Sequence, residues 1–361
     1  MNIPSSLRRV ASGFITSVAL ACAAANTFAA APAPTVQGDW VAPMFTFHDG
    51  ETLKAMRLHY ITLGDPGKPA VLVLHGTNQT AQSMLEKNFA GELFGPGQPL
   101  DATKYFIVIP DGIGAGQSAK PSDGLRAAFP KYDYNDMVLA EYRLLTEGLG
   151  IQHLRLVIGH SMGGMQTWLF AGQYPGFTDG VVPLASQPTQ MAARNWALRR
   201  MLIESIQQDP AWDHGNYTTQ PPSLQLAGVM FNFATSGGTL AYQKNAGTHA
   251  QSDKMVDDRL AGPVAVDAND YIYQFAASAD YDAMPNLQKI TVPVLAIISS
   301  DDERNPLITG TVQSAVKRLP HAQLFVVPGS AETFGHNTTF HATFYAGRLR
   351  QFVEALPASR H

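Results

Sequence analysis

Among the residues able to do chemistry, Ser161 has the most specific surroundings. It sits in GHSMGGMQ (159–166), between the apolar run LRLVIG and TWLFAGQYP, which reads as helix. Gly159 and Gly163 flank it two residues away on each side. A serine on a sharp strand-to-helix turn has a strained backbone and needs small flanking residues. Such a turn lifts Oγ above the sheet, under the first N–H groups of the helix. The pentapeptide alone is a weak signal. A strand before it and a helix after it favour a nucleophile over a tight turn with an idle hydroxyl.

A serine hydroxyl is a poor nucleophile near neutral pH, so it needs a base, and the base needs an orienting acid. On strand–turn–helix sites of this kind the order along the chain is serine, acid, histidine. The downstream histidines are His214, His249, His321, His336, His341 and His361. His336, in GSAETFGHNTT, follows the last strand-like run and precedes the final helical pattern, so its loop opens at the same sheet edge as Ser161. His341 falls inside that helical pattern, and His321 precedes its strand, at the opposite edge. His214 and His249 belong to an inserted region. The acid should follow the preceding strand, where VPVLAIISSDDERNP offers Asp301, Asp302 and Glu303. Asp302 has the better reach, nine residues after Pro293 and four before Pro306; Asp301 stays a rival.

The oxyanion that develops during acyl transfer needs donors, each worth roughly a hundredfold in rate. The backbone N–H of Met162, next after the nucleophile, is one. The N–H of Thr77, in VLVLHGTNQT, is the other, with His75 assigned to bonding the loop backbone.

These residues need a scaffold, and its pattern is visible. MFTFHDGETLKAMRLHYITLG reads as a hairpin broken at Asp49-Gly50. Short apolar runs without alternation follow at 70–76, 104–112, 154–161, 181–186, 292–300 and 322–329. Such runs are buried on both faces, in a mostly parallel sheet flanked by helices. Helical patterns lie between them, including YNDMVLAEYRLLTEGLG, capped by Asp133 or Asn135, and the C-terminal FHATFYAGRLRQFVEAL. The alternation predicts a doubly wound α/β core. From 187 to 287 no buried strand is evident, and stretches such as MAARNWALRRMLIESIQQ are helical. This segment reads as a helical cap inserted before the strand that precedes the acid. The organisation is then signal peptide (1–29), first part of the core (30–186), cap (187–287) and second part of the core (288–361). Trp196, Trp212, Phe231 and Phe233 in the cap point to a covered, mostly apolar pocket.

Bulk properties narrow the chemistry. The 361 residues carry a net charge of −4 and no basic cluster, which argues against a nucleic-acid partner. Arg8 and Arg9, the run VASGFITSVALACAAA and the small residues before APAP read as a secretory signal cleaved after Ala29. The run is too short and alanine-rich for a membrane span, so the mature chain is expected in the periplasm or outside the cell, without stable membrane insertion. The single cysteine, Cys22, falls in that segment, leaving no disulfide and no thiolate. GIGAGQS (112–118) is followed by a proline-rich loop instead of a helix, so it is a poor phosphate cradle. No metal motif and no cofactor motif is expected, and oligomeric state is not readable.

FPKYDYNDMV, IGHSMGGMQ, AIISSDDERNP, DPAWDHGNY and the GH before the last helix resemble the α/β-hydrolase superfamily, and within it the branch of the homoserine O-acetyltransferases. The resemblance covers nearly all of the mature chain and implies the α/β-hydrolase fold with the triad Ser161–Asp302–His336. Two departures stand against the transferase activity. The family places an aspartate after the catalytic histidine, suited to a substrate ammonium, and this chain has Asn337. The family also carries a cap arginine suited to the substrate carboxylate, where this chain has Ile203, with Arg199 and Arg200 a turn earlier. Charged hydrogen bonds contribute about 1.5–3 kcal/mol each, so a zwitterion should bind poorly. Acyl-coenzyme A is moreover a cytoplasmic donor that an exported enzyme would seldom meet. The expectation is an exported serine hydrolase acting on a small acyl substrate. An O-acyltransferase is the second reading, and a non-catalytic binding protein the third.

Overall fold

The computed structural model describes residues 34–263 and 266–358. Thr35–Thr46 (β1) and Thr52–Leu63 (β2) pair antiparallel around the Asp49-Gly50 turn, closing on Thr46↔Thr52. The runs without alternation become Ala70–Leu74 (β3), Phe106–Pro110 (β4), Leu154–His160 (β5), Val181–Leu184 (β6), Val294–Ser299 (β7) and Ala322–Val327 (β8). They form one eight-stranded sheet in the order β1-β2-β4-β3-β5-β6-β7-β8. Pairing is antiparallel for β1 with β2 and β2 with β4, and parallel from β4 through β8.

The apolar composition of the central strands has a direct cause. Leu72, Leu74, Val108 and Val157 face one core, and Val71, Val73, Ile107, Ile109, Leu156 and Ile158 face the other. A strand covered on both sides has no water-facing side chain to make polar. β8, at the edge, is only partly buried.

Among the described residues the α-helices number ten: Ala90–Leu93 (α1), Tyr134–Arg143 (α2), Met162–Gln173 (α3), Ala193–Gln207 (α4), Ser223–Ser236 (α5), Thr239–Asn245 (α6), His249–Leu260 (α7), Ala268–Ala276 (α8), Thr311–Val316 (α9) and Ala346–Ala355 (α10). Asp133, not Asn135, caps α2: its carboxylate accepts from the Asp136 N–H at 2.8 Å. The final helix is shorter than its pattern, because residues 335–344 form two 3₁₀ turns first. There the Ala342 N–H donates to Asn88 O at 2.9 Å, and Phe340 stacks on Phe89, so this stretch is tied to a neighbour before α10 starts. No helix among the described residues is long and apolar enough to cross a membrane.

Helices α4 to α8 lie between β6 and β7 and share a small core of Leu202, Ile203, Ile206, Leu224, Phe231, Tyr271 and Phe275. Helix α8 fastens this segment to the loops after β3 and β4. Gln274 accepts from the Asn78 N–H and donates to Gly114 O, both at 2.8 Å. The Asp270 carboxylate takes the Ser122 N–H and O–H, and the Tyr273 hydroxyl donates to Phe129 O at 2.7 Å. The expected signal peptide, with Cys22, lies outside the described residues.

Candidate active site

Ser161 occupies the turn between β5 and α3 with φ 55° and ψ −108°. A positive φ at a non-glycine residue is strained, and such strain concentrates at functional sites. The turn holds because its neighbours lack side chains. A Cβ on Gly163 would lie 2.3 Å from Leu74 O, and one on Gly159 would lie 2.2 Å from Gly163 O. The Gly163 N–H donates to His75 O at 3.0 Å, drawing the turn against the loop after β3.

Three residues far apart in sequence meet here. The Ser161 hydroxyl donates to His336 Nε2 at 2.8 Å, and His336 Nδ1–H donates to Asp302 at 2.9 Å (Oδ2) and 3.1 Å (Oδ1). All three are buried. Asp302 stands just past the end of β7, and His336 in the first 3₁₀ turn after β8. The carboxylate of Asp302 is fully satisfied. Oδ1 accepts the Arg304 and Asn305 N–H groups at 2.8 and 3.1 Å, and Oδ2 accepts the Asn305 side-chain amide at 3.1 Å. Asn305 is itself anchored by donating to Ala185 O at 2.8 Å. Burial alone would raise the pKa of Asp302; the neighbouring His336 and the Asn305 bonds outweigh it and leave Asp302 below the usual carboxylate range. Burial dominates at His336 and lowers its pKa below 6.5, against the opposing pull of Asp302.

Asp301, the rival acid, turns elsewhere. Its carboxylate accepts from the Thr333 hydroxyl at 2.7 Å and from the Ser299 hydroxyl. It therefore ties the end of β7 to the loop that carries His336. His341 stacks on Phe334 at 4.1 Å, outside the Ser161–His336–Asp302 chain.

The loop after β3 is fixed through backbone groups. His75 donates from Nδ1 to Gly76 O at 2.8 Å and accepts the Gly112 N–H on Nε2 at 2.9 Å. The N–H groups of Gly76, Asn78 and Gln79 all have partners. The Thr77 N–H has none among the described residues, and the Met162 N–H belongs to the first turn of α3, where helix geometry leaves donors free. Neither N–H has a protein partner among the described residues.

A cavity of about 570 Å³ adjoins these residues, lined in part by Asn78, Asn232, Tyr271, Phe334 and Asn337. Asn78 and Asn337 are the chain neighbours of Thr77 and His336. The lining is more polar than the cap aromatics suggested. Trp196 packs on the main core, Trp212 and Phe231 belong to the cap core, and the Trp212 indole is spent on Asn269 at 2.9 Å. Ile203 is likewise buried in the cap core.

Among the described residues, one group has the composition of a metal site: His48, Asp133 and Asp136. Its carboxylates are occupied by the start of α2. Asp136 accepts the His48 N–H and ring N–H and the Asp133 N–H, and Asp133 accepts from Asp136 and Asn135. Helix capping accounts for it.

The residue missed in the sequence is Asn305, which holds the Asp302 carboxylate through its backbone N–H and side-chain amide; only the Asn-Pro pair at 305–306 signalled a turn there.

A nucleophile turn after β5, a carboxylate after β7 and a histidine after β8, on a sheet of this order, define the class of α/β-hydrolase-fold proteins. A family profile described as the alpha/beta hydrolase fold matches residues 69–336, and the chain belongs to that family. Within it the chain is similar to homoserine O-acetyltransferases. The homoserine O-acetyltransferase of Nautilia profundicola is 32% identical over 186 residues, 46% of this chain and 50% of that enzyme, so the match spans half of the relative's length. Two solved structures share the fold. The homoserine O-acetyltransferase of Bacillus anthracis has a TM-score of 0.78 at 20% identity, covering 90% of this chain and 99% of that one. An acetylester hydrolase of Corynebacterium glutamicum has a TM-score of 0.76 at 19% identity, covering 89% and 96%.

Proposed function

We propose that the protein is an exported serine esterase that cleaves small acyl esters through an acyl-serine intermediate. One observation carries the reading: the continuous hydrogen-bonded chain from Ser161 through His336 to Asp302. Ser161 Oγ attacks the ester carbonyl carbon while His336 Nε2 takes the hydroxyl proton. Asp302 holds the imidazole in the tautomer with hydrogen on Nδ1 and stabilises the imidazolium. The N–H groups of Thr77 and Met162 receive the carbonyl oxygen as it gains charge. Collapse breaks the ester C–O bond, and His336 returns the proton to the departing alcohol. Water then attacks the acyl-serine, giving its proton to His336, and the acid is released with Ser161 regenerated.

Hydrolysis is preferred to transfer because the residues next to the site do not suit an amino-acid acceptor. Asn337 in the cavity wall brings no charge to an ammonium, and Ile203 faces the cap core. Export, to the periplasm or beyond, rests on the pattern of residues 8–29. The names of similar proteins favour the second reading, acyl transfer to an alcohol. A fluorophosphonate probe should label the wild type and not Ser161→Ala. 4-Nitrophenyl acetate turnover should proceed in water without an added alcohol. Acetyl-coenzyme A supporting transfer to an alcohol faster than hydrolysis would reverse the preference.

A further inference from the structure

The loop after β3 carries the Thr77 N–H, and it is held from two sides. A peptide unit is planar and trans, so the Thr77 N–H points away from the Gly76 carbonyl oxygen of the same unit. That oxygen accepts from His75 Nδ1 at 2.8 Å and from the Gln79 N–H at 3.1 Å, both within the loop. The next peptide unit is held from the helical segment. Its N–H, on Asn78, donates to Gln274 Oε1 at 2.8 Å, a bond between residues 196 positions apart. Asn78 has φ 61°, in the left-handed region that is strained for any residue but glycine. A strained backbone persists only while its partners hold it.

The surroundings of Gln274 leave its amide one orientation. The residue is 5% exposed, on α8, and its Nε2 donates to Gly114 O at 2.8 Å. Flipped end for end, the amide would set its nitrogen against the Asn78 N–H and its oxygen against Gly114 O. Gly114 belongs to GIGAGQS, whose poor fit to a phosphate cradle leaves its glycines to be explained. It has φ 84°, and a Cβ there would run into the Tyr132 hydroxyl, so the loop can present this carbonyl only with glycine in place. The other anchors of α8 end elsewhere: Asp270 on Ser122, and Tyr273 on Phe129 O at 2.7 Å. Of the three, Gln274 reaches the loop of Thr77.

We propose that Gln274 is a positioning residue that makes the helical segment a part of the oxyanion site. By holding Asn78 it keeps the Thr77 N–H directed beside Ser161, and the site is complete only while α8 is seated on the sheet. The inference rests on the esterase reading and on the role given there to Thr77, and it names the residue on which that role depends. Without Gln274 the Asn78 backbone is free to leave the left-handed region, and the preceding Thr77 N–H turns with it. Gln274 itself touches neither Ser161 nor His336 and acts through the loop.

The test compares variants of one helix, each checked for folding by thermal melting. In Gln274→Met, kcat for 4-nitrophenyl acetate should fall about ten- to a hundredfold with KM little changed, the scale of a misplaced group or a weakened oxyanion donor. Tyr273→Phe removes another anchor of α8 and should leave kcat unchanged. 2,2,2-Trifluoroacetophenone reads the oxyanion site directly. Its carbonyl carbon bonds Ser161 Oγ, His336 takes the hydroxyl proton, and the ketone oxygen becomes an oxyanion. The inhibition constant should rise in Gln274→Met by the factor that kcat/KM falls, and should hold in Tyr273→Phe. If Gln274→Met does not fold, Gln274→Glu is read in its place. It keeps the acceptor for Asn78, loses the donor to Gly114, and should show both losses to a smaller degree. Wild-type kcat in the Gln274 variant, an inhibition constant that stays put while kcat falls, or equal losses in Tyr273→Phe would overturn the proposal and leave the esterase standing. If the wild type neither turns over the ester nor takes up the fluorophosphonate probe, the esterase reading has failed, and the positioning role falls with it.

Discussion

At the scale of single residues, two aspartates stand side by side with opposite surroundings. Asp302 accepts from His336, Arg304 and Asn305, whereas Asp301 accepts from Ser299 and Thr333. Asp302→Asn should therefore lower kcat by about 10⁴, as loss of the orienting acid does elsewhere. Asp301→Asn should cost far less, and steady-state kinetics of the two variants checks the assignment. The charge state of His336 sets the pH profile. Burial lowers its pKa below 6.5, so the imidazole stays neutral, able to accept the Ser161 proton, into mildly acidic solution. The acid limb of kcat/KM against pH should then have its midpoint below 6.5. A midpoint above 7 would mean that the attraction of Asp302 outweighs burial.

At the scale of elements, the turn between β5 and α3 works because three backbones crowd together. A methyl group on Gly163 would meet Leu74 O and His75 O, both backbone atoms that cannot swing aside. Gly163→Ala should cost about 1–3 kcal/mol in urea unfolding, the range for overpacking. It should also lower esterase activity by displacing Met162 and the loop of Thr77. The helical patterns of the sequence were faithful where one face meets the core, as in α2. They overshot at the C-terminus, where the residues before α10 are held by Asn88 and Phe89, contacts remote in sequence.

At the scale of the whole molecule, a buried acid with an unpartnered oxygen lies outside the site. Glu141 on α2 is 2% exposed, and its Oε2 has no hydrogen-bond partner. Burial raises its pKa well above 4.5, so the native state holds a proton that the unfolded chain releases. Between the unfolded and native pKa values the native state binds more protons, and stability falls as pH rises. Glu141→Gln should raise the melting temperature at pH 7–8 and change little at pH 4, as thermal unfolding at both values will show. An unchanged melting temperature at neutral pH would mean that Glu141 is not desolvated in solution.

What the chain alone determined is whatever depends on local pattern. Short unbroken apolar runs, rich in β-branched residues and bounded by turn residues, read as strands covered on both faces, Gly159 and Gly163 around Ser161 mark a crowded turn, and the order of serine, acid and histidine follows from strand order. Tertiary structure decided what depends on approach between distant segments. It turned Asp302 toward His336 and Asp301 toward Thr333, and buried Ile203 in the cap core. Periodicity reports which face of an element is apolar. It carries no information on which polar atom of another element will stand within hydrogen-bonding reach, and in this protein the chemistry depends on that reach.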